Sequence, residues 1–309
     1  MYTICIGDDN VYNALETLTH KNGDRVIIID IKHLADLKDF FSKLSQSDDL
    51  NPFQRWITHD MYDFTLPNEQ IKSLVLMAVH KPFYAKVELI YNGKKRTIRS
   101  LVRPDFDQAS GYLKNHLNAH GYFVMPALDL PLKRLATQSG LAVYGKNNIS
   151  YIEGLGSNFS YLPFYSDIPC PQDTWGEPSV ADECENCDLC FKACPTGSIR
   201  KDRFLIDTSR CLSFVNEMPG EFPEWLDENI HHTAYDCLYC QINCPMNAYQ
   251  INQIADTIEF DAEETNCLIN GDEFVTLEER TKVKLHNLGM DAWYQAIPRN
   301  LKILLSREK

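Results

Sequence analysis

Cys184-Glu-Asn-Cys187-Asp-Leu-Cys190-Phe-Lys-Ala-Cys194-Pro195 is a C-x-x-C-x-x-C-x-x-x-C-P run, followed downstream by Cys237-Leu-Tyr-Cys240-Gln-Ile-Asn-Cys244-Pro245. The first run has the spacing that holds iron–sulfur clusters in bacterial two-cluster ferredoxins. The second repeats it without the leading cysteine, and Cys211, alone upstream, is the replacement. Close C-x-x-C steps let one loop wrap three corners of a cubane. The cysteine before the proline points away and ligates the other cluster. The pattern therefore predicts two 4Fe–4S clusters: Cys184, Cys187, Cys190 and Cys244 on the first, and Cys194, Cys211, Cys237 and Cys240 on the second. Pro195 and Pro245 suit the first turn of a helix, where a missing N–H costs nothing. Zinc also takes C-x-x-C pairs, but a zinc knot requires neither the third cysteine nor the Cys-Pro end, twice over.

Outward from the cysteines, 309 residues leave room for about two domains. With 44% hydrophobic and 24% charged residues, a sizeable core is expected. The formal net charge of −13 disfavours a phosphate backbone as partner, though a local basic groove remains compatible with it. No apolar run reaches the length of a membrane span, and Met1-Tyr-Thr-Ile-Cys-Ile-Gly lacks a signal peptide's basic start. Eleven cysteines without an export signal point to metal in a reducing compartment, hence a cytoplasmic protein. Cys5, Cys170 and Cys267 are left over as buried thiols.

The expected fold is α+β. Residues 1–165 form an N-terminal α/β domain, 176–250 a two-cluster ferredoxin-like module with an inserted loop at 212–236, and 251–309 a short helical tail. In the first domain, Tyr2–Ile6, Arg25–Ile31 and Ser73–His80 are expected strands, with helices over Asn10–Thr19 and Leu34–Leu44. Asn92-Gly93 predicts a type I′ hairpin turn, and a helix over Leu130–Ser139 stops at Gly140. In the module, Arg203–Ile206 is expected to be a short strand. In the tail, Thr276-Leu-Glu-Glu279 is a capping box. His231-His232 falls in the inserted loop as a surface pair. His116 and His120 share a helical face without an evident carboxylate partner for a metal.

The split cysteine pattern and the stretch before it resemble the epoxyqueuosine reductase family, cobalamin-dependent iron–sulfur enzymes that complete queuosine on tRNA. Arg134-Leu-Ala-Thr-Gln-Ser-Gly-Leu-Ala-Val-Tyr-Gly-Lys-Asn-Asn148 is similar to the family's LAxxAGLGWxGKNT, and Gly156-Ser157 to its GSWFFLGE. Cys211-Leu-Ser-Phe and Tyr235-Asp-Cys-Leu-Tyr-Cys-Gln-Ile-Asn-Cys-Pro-Met-Asn247 are similar to CISY and YGCDDCQxxCPWN. The likeness covers roughly residues 70–250. It implies a cobalamin between the α/β domain and the cluster module, with Gly145, Lys146, Asn147, Tyr235, Leu238 and Tyr239 as cofactor contacts.

It also implies an external low-potential electron donor and a small-molecule or modified-nucleoside substrate. Where the family carries the Asp of VDSAP as proton donor, this chain has Pro126, and the nearest acid is Asp129. Asp129 is the one catalytic candidate, and a helix N-cap before Leu130-Pro131 is its plainer role. Asn216-Glu217-Met218 replaces the family's Thr-Ile-Glu, and no helical-repeat domain follows, which disfavours tRNA. The alternative is an electron-transfer protein that reduces a partner corrinoid protein.

Overall fold

The computed structural model describes residues 6–307. Cys5 and nearly all of the Tyr2–Ile6 run lie outside them, and Ile6 itself opens a helix that ends at Lys21. The fold is α+β. In chain order the strands are β1 (Arg25–Asp30), β2 (Ser73–His80), β3 (Tyr84–Tyr91), β4 (Lys94–Ser100), β5 (Val124–Pro126), β6 (Val143–Tyr144), β7 (Ser150–Tyr151), β8 (Phe159–Ser166) and β9 (Ile254–Phe260). Two compact units are interleaved along the chain rather than consecutive. The first takes residues up to His80 and Asp105–Glu185; the second takes Lys81–Pro104 and Asn186 onward.

In the first unit the sheet runs β1-β2-β8-β5, each pair antiparallel. β2 is buried from Ser73 to Val79 because helices cover both faces. Leu74, Leu76 and Ala78 meet Leu34, Leu37, Phe41 and Leu135 on one face. Val75, Met77 and Val79 meet Leu15, Leu113 and Leu117 on the other. This alternation is the period-2 geometry of a strand, and a strand enclosed on both sides reads as an unbroken apolar run. Each leucine so enclosed contributes about 1.5–3 kcal/mol. Asp129 caps no helix: the helix begins at Leu132, with Pro131 at the N-cap position. Asp129 has φ 55° instead, and its carbonyl accepts the Asp63 N–H at 2.9 Å.

The second unit is built on a three-stranded sheet, β4-β3-β9. Asn92 and Gly93, at φ 51° and 71°, make the tight turn from β3 to β4, as a two-residue hairpin requires. That hairpin, expected in the N-terminal domain, belongs here because the other edge of β3 pairs in parallel with β9. The tail is therefore part strand, and its helices bury Leu268, Leu285, Leu288, Leu301 and Leu305 against Val87 and Leu89 of β3. Asn300 ties the last helix to the inserted loop, donating to the carbonyls of Asn216 and Ala234 at 2.7 and 2.8 Å.

Two local expectations fail for identifiable reasons. The Thr276 hydroxyl donates to the Glu273 carbonyl at 2.7 Å, so it caps nothing, and the helix starts at Glu279. The reciprocal box forms instead at Asp261 and Glu264. Arg203–Ile206 makes no strand, because Asp207 folds back on Ser198 through bonds of 2.8 and 2.7 Å that close a loop.

Candidate metal centre

Cys184 is buried at the end of the turn Asp182–Cys184, the last turn of the first unit. The remaining motif cysteines belong to the second unit. Cys190 and Cys240 lie in the short helices Leu189–Ala193 and Tyr239–Ile242, which pack on each other. Cys244 precedes a turn opened by Pro245. Cys194 ends its helix, and no helix follows Pro195, where the chain turns at Gly197 with φ 68°.

Cys194, Cys211, Cys237 and Cys240 are brought near one another. Cys211 feels the negative charge of Cys194, and Cys237 feels that of Cys240 and Cys211. The surroundings of Cys194 favour a charged sulfur, and those of Cys211 and Cys237 oppose one. Burial pushes the Cys194 thiol up, yet the N–H groups of Ile199, Thr196 and Ser198, with the Thr196 hydroxyl, outweigh it and bring it below its ordinary value. Burial pushes Cys211 and Cys237 up, against N–H groups of Phe214 and Ser213 for the former and of Tyr239 for the latter. N–H groups aimed at sulfur are the contacts through which a protein orients cluster ligands and sets their potential. Among the described residues no three Cys, His, Asp or Glu side chains converge as ligands of a single ion would. A cubane takes one thiolate per iron, at separate corners, and the donor set fits that group.

Asp236 organises this region, and its role was not legible in the motif. It has φ 59°, unusual for a residue with a side chain. Its carboxylate accepts the Cys237 N–H at 2.6 Å and the Ser213 hydroxyl at 2.5 Å. Its carbonyl accepts from Asn216 Nδ2 at 2.8 Å. Glu217 is one turn from Ser213; burial, then the Asp236 charge, pushes it up to about 8. Glu217 reaches this region through Ser213 and the charge of Asp236. The spacing Ser213 to Glu217 and an acid directly before Cys237 were the available signals.

The histidine pair of the inserted loop is not at the surface. His231 is 3% exposed and its ring lies against Phe222 at 4.5 Å. His232 stacks on Tyr239 at 3.9 Å. Burial, then Arg307 and Arg299, lowers His231 to about 4; burial, then Arg99 and His231, lowers His232 to about 4. In the unfolded chain both imidazoles take up protons as pH falls below about 6.5. Stability from this pair is therefore complete above that pH and is lost on the way down to about 4. Thermal denaturation at pH 7.5 and pH 5 should show His231→Phe losing less stability between the two than the parent chain does. His116 and His120 hold no metal geometry: their ring nitrogens bond the carbonyls of Val11 and His116 at 3.0 and 2.8 Å.

The residues singled out for a corrin are engaged by the chain itself. Gly145, Lys146 and Asn147 make the turn between β6 and β7. Asn147 is buried, and its Nδ2 donates to the Tyr151 hydroxyl at 2.8 Å. Lys146 Nζ donates to the Glu185 carbonyl at 2.9 Å. Tyr235 and Leu238 lie in the core of the second unit, with the Tyr235 hydroxyl on the Leu288 carbonyl at 2.7 Å. Only Tyr239 is half-buried. A Cβ at position 145 would stand 2.6 Å from both Asn147 Oδ1 and Tyr151 Cε2. Gly145→Ala should therefore cost about 1–3 kcal/mol, read as a lower midpoint in urea at unchanged slope.

Asp129 is exposed beside Leu128, itself 73% exposed, on the loop between β5 and the helix Leu132–Gln138. Pro126, the residue in the place of the family's acid, ends β5.

Comparison with known proteins places this geometry. Residues 183–247 match the family model described as a 4Fe-4S double cluster binding domain. The chain is 28% identical to an epoxyqueuosine reductase of Francisella cf. novicida (strain Fx1) over 180 residues, 57% of this chain and 47% of that one. It is 29% identical to an epoxyqueuosine reductase of Pseudomonas aeruginosa over 188 residues, 60% and 49% of the two chains. It thus spans about half the length of these curated relatives. Among solved structures it aligns with epoxyqueuosine reductase from Bacillus subtilis at a TM-score of 0.62 and 20% identity, over 96% of this chain and 82% of that one. The Streptococcus thermophilus enzyme gives 0.62 at 17% identity, over 96% and 81%. No helix among the described residues is long and apolar enough to cross a membrane.

Proposed function

We propose that this chain, a divergent relative of the epoxyqueuosine reductases, is an iron–sulfur oxidoreductase that passes single electrons through two 4Fe–4S clusters to a cobalamin and so reduces a small-molecule or modified-nucleoside substrate. The observation that carries it is the double-cluster match over residues 183–247, which covers all eight motif cysteines. When bound, the clusters supply one-electron chemistry at potentials set by hydrogen bonds to sulfur, net charge and burial. The residues of this chain have separate tasks. Eight thiolates hold iron, and the N–H groups of Ile199, Thr196 and Ser198 steady the sulfur of Cys194. Asp236 accepts the Cys237 N–H and the Ser213 hydroxyl and so orders the chain around Cys237. Asp129, on its exposed loop, is the candidate proton source at the substrate.

A second reading is favoured by one observation: Gly145, Asn147, Tyr235 and Leu238 are committed to internal packing and hydrogen bonds. With those groups withheld, the chain would instead deliver electrons to the corrin of a partner corrinoid protein. An anaerobic titration with cobalamin separates the two. Corrin that stays with the protein through gel filtration, with Co(II) signals in electron paramagnetic resonance, supports the first. A chain that binds no free cobalamin yet reduces a corrinoid partner supports the second. Colourless protein with about two zinc ions in place of about eight irons would end both.

A further inference from the structure

We propose that the second unit carries a binding site for a phosphate group, as the free anion or as a monoester of up to mononucleotide size, between the β3–β4 hairpin, the His231-His232 turn and the C-terminal helix Ile297–Ser306. The inference does not depend on the redox reading.

A cavity of about 510 Å³ opens there, and no aspartate or glutamate is among its lining residues. Five cationic side chains line it in a chain whose net charge is −13. One of them, Lys95, is already held by Glu88 and Glu259 at its rim. The donors that point into protein here are without partners. Arg96 Nε, Arg307 Nη2, both ring nitrogens of His231 and His232 Nε2 are buried and make no hydrogen bond. A buried polar atom left unpaired costs about 1–3 kcal/mol, and native structures carry few of them. A neutral imidazole carries one N–H, so these five nitrogens supply up to four donors at one cavity, the donor side of an interaction whose acceptor comes from outside.

The side chains are also held in place. Arg307, which lines the cavity, is fixed by a bond of 2.6 Å from Nη1 to the His231 carbonyl, and its Nη2 keeps no partner. His232 is held flat on Tyr239 at 3.9 Å, and Arg99 lies 5.2 Å over the ring of Tyr84. Guanidinium forks match the oxygens of a phosphoryl group better than any neutral acceptor, and each neutral imidazole still offers one N–H. Inorganic phosphate fills only part of this volume. Tyr84, Ile98 and Leu304 line the rest and offer apolar surface to an attached nucleoside.

The test is calorimetric titration of the anaerobically purified full chain with adenosine 5′-monophosphate, inorganic phosphate and adenosine. The monophosphate should bind saturably, and adenosine should bind at least about tenfold more weakly. Arg99→Ala, at an exposed position, and Arg96→Met should each weaken binding about tenfold, the effect of losing one charge-assisted bond. Iron content should not change in either variant. Inorganic phosphate binding as tightly as the monophosphate supports the site and assigns it to the free anion; tighter binding of the monophosphate assigns it to an ester. Three outcomes would overturn the proposal: no saturable heat at about 1 mM of either phosphate, affinities unchanged in both arginine variants, or a single-stranded oligoribonucleotide that binds where neither small phosphate does.

Discussion

Cys194→Ala should lose the cluster built on Cys211, Cys237 and Cys240 and keep the one built on Cys184, Cys187 and Cys190. Iron would fall from about eight to about four per chain, with one cubane still visible by electron paramagnetic resonance after dithionite. The reason is spatial rather than sequential. Cys194 follows Cys190 by four residues, but it stands close to Cys211, which in turn stands close to Cys237. Its sulfur also has backbone N–H groups of its own, from Thr196, Ser198 and Ile199. Cys190→Ala is the control and should remove the opposite cluster. Survival of the Cys211 cluster in Cys194→Ala, with loss of the other, would reverse the assignment of all eight ligands.

The second large effect is on stability. Glu264 is 3% exposed. Its carboxylate accepts from Lys284 Nζ at 2.8 and 2.7 Å, from the Thr281 hydroxyl at 2.9 Å and from the Asp261 N–H at 2.9 Å. Burial alone would raise it, yet these partners hold it below the usual carboxylate range. Lys284→Met leaves that carboxylate enclosed with only Arg280, at 3.9 Å, as a cation and should cost about 3–5 kcal/mol. The pair stabilises the fold above the carboxyl's unfolded value and loses that contribution as pH falls through its lowered folded value. The stability gap between the variant and the parent chain should therefore be widest near neutral pH and narrow as pH falls through that range. Adding Glu264→Gln to Lys284→Met should restore part of the loss in urea denaturation; no recovery would place the defect in packing rather than in charge.

Legibility followed the range of the interaction. The cysteine spacing announced a double-cluster module because ligand geometry is written in consecutive residues. Asn92-Gly93 announced its turn because two positive φ angles demand those side chains. The interleaving of the units was not legible, since the parallel pairing of β3 with β9 joins residues about 170 apart and leaves no local trace. His231 read as a surface residue because a polar residue in a loop usually is one; burial among Phe222, Arg299 and Arg307 is decided by the tail, far along the chain. Asp129 read as a cap because its neighbours suited one. Proline at position 131 takes the cap position instead, without an acceptor side chain to offer.

The β3–β9 pairing also constrains when the protein can mature. β3 acquires its second neighbour only once residues 254–260 have been made, and the helix whose Asn300 fastens Asn216 and Ala234 is made later still. Contacts at such separation close slowly, so the loops that present Cys211 and Cys237 lack this tie until Asn300 is in place. A chain arrested before residue 297 should accordingly take up clusters poorly, however complete its cysteines, as iron content per chain would read.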